Sequence, residues 1–213
     1  MPEDYSSTKQ VAFWQGQFGD EYTARNSAAP DLLRSRTAMW SNILKATAGR
    51  SPASIAEIGA NLGTNLRALR NLSSARLVAV EPNASAREQL IKDHVVAASD
   101  LHDGIAAALP LPDGSVDLAF TSGVLIHIHP DDLLASCREI HRVSSRYIVT
   151  IEYFADQPTE IVYRGNTGYL FKRDFGGYWL DNFDGLQLLD YGFVWKRATG
   201  LDNLTWWIFE KRD

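Results

Sequence analysis

The stretch Ala56-Glu57-Ile58-Gly59-Ala60-Asn61-Leu62-Gly63-Thr64-Asn65 constrains this chain more than any other. It joins a short apolar run to a helical pattern through a glycine turn. The first turn of a helix leaves its amides unpaired, and glycine lets a ligand approach the backbone closely. A second apolar run, Leu77-Val78-Ala79-Val80, ends in Glu81. An acid about twenty residues beyond such a turn can hold the two hydroxyls of a ribose. The local pattern therefore predicts a nucleoside site on an α/β sheet.

The rest of the chain supports that sheet. With 213 residues, 45% hydrophobic and 22% charged, there is material for one α/β domain with a cap. Strands are expected at 54–57, 76–81, 95–98, 116–122 and 147–152, with helices at 64–71, 84–93 and 130–143. This alternation implies a doubly wound, Rossmann-like, mostly parallel sheet with ligands at the carboxyl ends of its strands. The runs 186–195 and 204–210 read as a strand pair that adds an antiparallel C-terminal edge. Residues 1–50 are expected to form an N-terminal helical lid or cap. Residues 51–213 form the main domain, with a substrate-side insertion at 155–185. Within the cap the first ten residues are expected to be mobile. Phe13, Trp14, Phe18 and Tyr22 fall near helical spacing, which Gly16 and Gly19 weaken. That strip either packs on the core or covers the ligand. A further helix is expected over 30–47, with Pro30 in its first turn.

The net charge of −5 argues against a nucleic-acid or anionic-membrane partner and favours a small molecule. A single cysteine, Cys137, excludes an intramolecular disulfide and suits a reducing cytoplasm. No run reaches membrane-spanning length and no signal-peptide h-region opens the chain, so a cytoplasmic location is expected. A monomer or homodimer is expected. The Trp206-Trp207 region could form a dimer contact, and its alternation equally fits an internal sheet face.

The turn departs from a dinucleotide fingerprint. Gly59 fills its first place, but Asn61 and Thr64 stand at the second and third, and Gly63 is out of register. A nicotinamide-dependent oxidoreductase thus remains an alternative with an imperfect pyrophosphate cradle. A non-catalytic binding protein on a related fold is another. The turn instead resembles the first motif of class I S-adenosylmethionine-dependent methyltransferases. The block Leu109-Pro110-Leu111-Pro112-Asp113-Gly114-Ser115-Val116-Asp117-Leu118-Ala119-Phe120 resembles the segment that enters the fourth strand in the same family. The resemblance covers 54–152 and implies S-adenosylmethionine as cofactor. It places Glu57, Gly59, Asn61 and Gly63 around the methionine end, with the acid near the ammonium and the turn and helix start near the carboxylate. Glu81 is implied at the ribose, and Asp100 at the adenine amino group with Ser99 and Leu101 beside the ring. Ser122, at the end of the fourth strand, belongs to the same site. Asn61 stands where many relatives have a second glycine, and asparagine accepts left-handed conformations.

Both ends of the chain resemble a narrower group, the methyltransferases associated with pseudaminic acid biosynthesis. The segments are Phe13-Trp14, Phe18-Gly19-Asp20-Glu21-Tyr22 and Arg25-Asn26 near the start. Later come Tyr163-Arg164-Gly165, Leu170-Phe171-Lys172-Arg173-Asp174-Phe175, Asp190-Tyr191-Gly192-Phe193 and Leu204-Thr205-Trp206. This likeness implies a sugar, nucleotide-sugar or glycan-precursor acceptor. Methylation of another small metabolite is the alternative.

Methyl transfer needs alignment and exclusion of water, and a hydroxyl acceptor also benefits from a base. His127 is the first candidate base, because neutral imidazole titrates near working pH; packing beside the cofactor is the structural alternative. Glu152 is the second candidate, as a base or as a contact to a sugar hydroxyl, with a structural salt bridge as its alternative. His129 is expected to start the helix that follows. His127 and His129 with Asp131 and Asp132 could suggest a metal, but two acids there suit a helix cap and a third convergent ligand is required, so no metal is expected. Tyr22, Arg25, Tyr153, Tyr163, Arg164, Lys172 and Arg173 are candidate acceptor contacts, since arginine forks suit phosphates and carboxylates. The basic ones could equally be solvated. Cys137 is expected to be a small core residue.

Overall fold

The computed structural model describes residues 8–25 and 29–212. Residues 1–7 and Asn26 of the expected cap lie outside the described residues. The chain runs α1 (Lys9–Gln15), α2 (Gln17–Arg25), α3 (Pro30–Leu44), β1 (Ser54–Ile58), α4 (Thr64–Arg70), β2 (Arg76–Val80), α5 (Ala84–Lys92) and β3 (Leu101–His102). It continues through β4 (Val116–Ser122), α6 (Pro130–Val143), β5 (Ser144–Glu152), β6 (Thr159–Glu160), β7 (Phe171–Lys172), α7 (Phe175–Asn182), β8 (Leu186–Val194), α8 (Lys196–Thr199) and β9 (Leu204–Lys211).

Seven strands form one sheet in the order β3-β2-β1-β4-β5-β9-β8. The first five are parallel, and β9 and β8 add the antiparallel edge. Strand side chains alternate between two apolar layers. Leu118 and Phe120 of β4, Val149 and Ile151 of β5, and Trp206 and Ile208 of β9 face one layer, with Trp40 and Ile43 of α3. Ala119, Ile148, Trp207 and Phe209 face the other, with Cys137 and Ile140 of α6. Trp40 meets Phe120 edge-on at 4.6 Å. Helix α6 buries Leu133, Ser136, Cys137, Ile140 and Val143, one stripe at helical spacing. His129 caps it, its Nδ1 accepting from the Asp131 amide at 3.3 Å, and Pro130 follows in the first turn.

Two expectations are corrected, and a third is refined. Lys9 and Gln10 belong to α1, because Thr8 caps that helix through the Val11 amide. The aromatic strip is divided between α1 and α2 at Gly16, one of the two glycines expected to weaken it. Gly16 ends α1, and at Gly19 an added Cβ would lie 1.8 Å from the Trp14 carbonyl oxygen, so only glycine lets α2 cross so close. The third strand is 101–102 rather than 95–98. His94, at φ +53°, turns the chain out of α5 and drops Val95 and Val96 into the core. Pairing with β2 begins only at Leu101, opposite Ala79.

Gly63 sits at φ +64°, where an added Cβ would meet Leu90 and Val95 at 2.7 Å each. Gly63→Ala combines left-handed strain with overpacking and should cost about 1–3 kcal/mol. The shift in urea midpoint measures it.

Candidate active site

A cavity of about 360 Å3 opens at the carboxyl ends of β1, β2 and β4. Ile58, Gly59, Glu81, Ser122, Gly123 and Val124 supply its floor, and Gln10, Val11, Trp14, Tyr22 and Arg25 of α1 and α2 cover it. Arg36 of α3 also lines the wall.

The floor depends on two left-handed positions. Gly59 has φ +76°, and a Cβ there would lie 2.6 Å from Val124. Asn61 has φ +45°, the left-handed region. Glu81 holds this turn, one carboxylate oxygen accepting from the Asn61 amide at 2.7 Å and the other from the Asn83 amide at 2.8 Å. Glu81 is 5% exposed, and burial raises its pKa against those two amides. Each oxygen retains a lone pair for a further donor. The side chains of Asn61 and Asn83 tie the cap down. Asn61 Nδ2 donates to Thr23 Oγ1 at 2.9 Å, and Asn83 Nδ2 donates to the Trp14 carbonyl at 3.2 Å and to Asp20 at 2.9 Å.

Glu57 is fully buried beside the cavity. Its Oε1 accepts from Asn65 Nδ2 at 2.7 Å, while Oε2 has no hydrogen-bond partner among the described residues. Burial pushes its carboxyl up to about 8, opposed by the Asn65 amide and the Arg36 guanidinium. A buried oxygen without a partner is costly, and a cationic donor in the cavity would satisfy it.

His127 lines the opposite wall. Its Nδ1 lies 2.6 Å from the Tyr169 carbonyl oxygen, which can only accept. The proton therefore resides on Nδ1, and Nε2 carries the lone pair. Burial pushes its pKa down to about 4, against the Tyr169 hydrogen bond. Trp14 and Tyr163 flank the ring at 4.8 and 4.9 Å.

The cavity gathers His127, Glu57, Gly59, Asn61, Glu81, Ser122, Tyr22 and Arg25 from the sequence-derived candidates. Others stand elsewhere. Gly63 faces Leu90 and Val95. Asp100 precedes β3 instead of following it and pairs with Arg76 at 2.6 Å, with Ser99 exposed beside it. Neither they nor Leu101 line the cavity; Gly104, Ile105 and Ala106, beyond β3, do. The acid after β3 is Asp103, which pairs with Arg87 at 2.9 Å. Its signal was its position before the Leu109-Pro110 block, obscured by the misplaced strand. Glu152 is a structural anchor rather than an accessible base. It is 0% exposed and accepts from the amides of Val124 at 3.2 Å, Leu125 at 3.1 Å and Ile126 at 3.4 Å. Burial pushes its carboxyl up to about 7 while those amides oppose the rise. Tyr153 donates to Asp202 at 2.9 Å. Lys172 lies over the Tyr153 ring, Arg173 over Tyr178 and the exposed Arg164 over Tyr163, all outside the cavity wall. Sequence reasoning missed Arg36 and Asn65, which carried no signal beyond their helical positions.

Residues 56–146 match the family model described as a methyltransferase domain. A search of curated proteins gives no match. A Leishmania major S-adenosylmethionine-dependent methyltransferase is similar in structure, with a TM-score of 0.71 and 16% identity over 96% of this chain and 87% of that one. Burkholderia thailandensis 1,6-didemethyltoxoflavin-N1-methyltransferase gives 0.65 at 18% identity, over 92% and 83%. Synechocystis magnesium protoporphyrin IX methyltransferase gives 0.66 at 12% identity, over 97% and 99%. The fold is thus that of the class I methyltransferases.

Glu152→Ala leaves three amides unpaired in the interior and should destabilise by about 3 kcal/mol, whereas Glu152→Gln keeps an acceptor and should cost about 1 kcal/mol; urea unfolding separates them. A neutral, half-buried His127 stabilises fully above its unfolded pKa near 6.5, and that contribution is lost as pH falls through 6.5 towards 4. Stability of the wild type should therefore fall more steeply than that of His127→Gln over this window. Parallel curves would place the His127 titration elsewhere.

Proposed function

We propose that this chain, an S-adenosylmethionine-dependent methyltransferase, methylates a sugar, nucleotide sugar or glycan precursor on oxygen or nitrogen. The observation that carries methyl transfer is one cavity bounded by the Glu57–Glu81 floor and by His127. The residues fit the cofactor. Glu57 Oε2, without a hydrogen-bond partner among the described residues, suits its ammonium, Glu81 retains lone pairs for ribose hydroxyls, and Gly59 lines the same cavity. When bound, S-adenosylmethionine supplies a methyl group already activated by its sulfonium.

This chain's own residues then have three tasks. Residues at the carboxyl ends of β1 and β2 would hold the nucleoside in one orientation, and a held nucleoside is what alignment with the acceptor requires. The cap, held by the Thr23–Asn61 and Asp20–Asn83 hydrogen bonds, excludes water. His127 Nε2 takes the proton from an acceptor hydroxyl as the new bond forms, while the Nδ1–H bond to Tyr169 fixes the ring. Tyr22 and Arg25 contact the acceptor from the cap. We assign Arg164, Lys172 and Arg173 to its outer, anionic part. The protein acts as a monomer or homodimer on a small molecule; no helix among the described residues is long and apolar enough to cross a membrane.

The sugar class is supported by where the narrower resemblance falls. Two of its segments, one near the start of the chain and one in the insertion, meet where Phe18 lies 5.8 Å from Tyr163. Trp14, of the first, also meets His127 at 4.8 Å. Similar structures named for 1,6-didemethyltoxoflavin and magnesium protoporphyrin IX support a small-molecule acceptor of some kind.

Calorimetric titration should show binding of S-adenosylhomocysteine and none of NAD; the reverse pattern would sink methyl transfer. Nucleotide sugars incubated with S-adenosylmethionine should gain one methyl mass. His127→Ala should then lower kcat about 100-fold or more with little change in cofactor affinity. Glu81→Ala should weaken S-adenosylhomocysteine by about 2 kcal/mol, and an unchanged affinity would remove Glu81 from the ribose.

A further inference from the structure

The edge strand β8 carries an aromatic row that the described residues leave in water. Tyr191 stands opposite Trp207, and Phe193 opposite Thr205. Opposite residues of an antiparallel pair share a face, so both point to the layer that holds Trp207, Phe209 and α6. Trp195, still extended at φ −94° and ψ 119°, continues the row two residues on. Val194 points the other way into the core, and Gly192 lies beneath the Trp206 ring. Burial along the aromatic side stops at Leu188. Leu186 and Leu188 pack against that layer, whereas Tyr191, Phe193 and Trp195 are 66%, 63% and 53% exposed. Phe154, 46% exposed and 6.4 Å from the Trp207 ring, adds a fourth aromatic.

At about 200 Å2 for an aromatic side chain, these fractions leave about 450 Å2 of apolar surface in water. A patch of that size on a single chain is often functional. It matches the apolar share of a standard protein interface, about 450–500 Å2 of about 800 Å2 a side. The net charge of −5 opposes an anionic membrane or a nucleic acid as the cover. The edge of β8 also opposes an added strand. Its register slips between Leu188 and Asp190, and Asp190 Oδ1 accepts from the Tyr191 amide at 2.8 Å. A bulge and an occupied amide both discourage strand addition. The cover therefore meets the side chains, face to face.

We propose that this cover is a second copy of the chain, packed on the aromatic row about a two-fold axis over Phe193. In such a contact residue i meets j of the partner and j meets i. Phe193 meets its own copy, and Tyr191 meets the partner's Trp195. Charge fits the same axis. Asp190 lies three residues before Phe193 and Lys196 three residues after it, and both are exposed. A parallel overlay of two rows would set acid on acid. The two-fold instead brings Asp190 of each copy to the partner's Lys196, at both ends of the row. Lys196 pairs with Asp202 at 2.9 Å in its own chain, and an ammonium has three donors, enough for a second carboxylate. The contact does not depend on which acceptor is methylated.

Sedimentation equilibrium of the full chain tests it. The wild type should be a dimer at about 100 μM, where an interface of standard size is occupied. Phe193→Glu sets two carboxylates on the axis and should weaken the dimer roughly 100-fold or more, with the far-UV circular dichroism spectrum unchanged. Charge reversal at exposed positions provides a second set of variants. Asp190→Lys and Lys196→Glu should each weaken the dimer about 10-fold, and together they should restore it. A wild type that stays monomeric at that concentration overturns the proposal. So does a dimer that survives Phe193→Glu. A double reversal that associates no better than the single variants overturns the two-fold arrangement.

Discussion

The two hydrogen bonds from the Asn61 and Asn83 amides to Glu81 hold the site together. Asn61 occupies a left-handed conformation at φ +45°, which costs free energy unless neighbours enforce it. Glu81 supplies that enforcement from the end of β2, locking the turn after β1 to the turn before α5. The two asparagine side chains carry the constraint outward, to Thr23 and to Trp14 and Asp20 on the cap. One carboxylate therefore shapes the nucleoside floor and, through its partners, seats the helices above it.

Two other buried acids show how to tell an anchor from a ligand group. Glu57 lies on β1 and Glu152 at the end of β5, and burial raises both carboxyls. Glu152 spends its capacity on three amides of the loop after β4, and that loop carries His127. It positions a candidate base by fixing the backbone beneath it. Glu57 keeps an oxygen beside the cavity that has no hydrogen-bond partner among the described residues. Burial and a raised pKa are common to both; unspent hydrogen-bonding capacity at a cavity is what separates them.

His127 illustrates the same economy. The Tyr169 carbonyl fixes its tautomer, and Trp14 and Tyr163 fix its ring. Tyr169 and Tyr163 lie between β6 and β7, and Trp14 lies on α1. The imidazole is thus oriented by segments far apart in the chain, which binds the readiness of the base to the seating of the cap.

Where periodicity and capping chemistry act over a few residues, the sequence was sufficient. The bounds of β4 and α6, the His129 cap and the antiparallel edge followed from apolar spacing, glycine and proline placement and short-range patterns. The third strand did not, because Val95 and Val96 are apolar for a different reason: they fill the core under Gly63 after His94 reverses the chain. That slip carried Asp100 to the wrong side of β3. The separation of Glu152 from Glu57, the tautomer of His127 and the meeting of Arg36 with Asn65 and Glu57 were decided by tertiary structure alone. Each depends on which groups from distant segments satisfy a buried polar atom. A linear sequence lists the donors and acceptors; only packing determines which of them are brought within hydrogen-bonding distance.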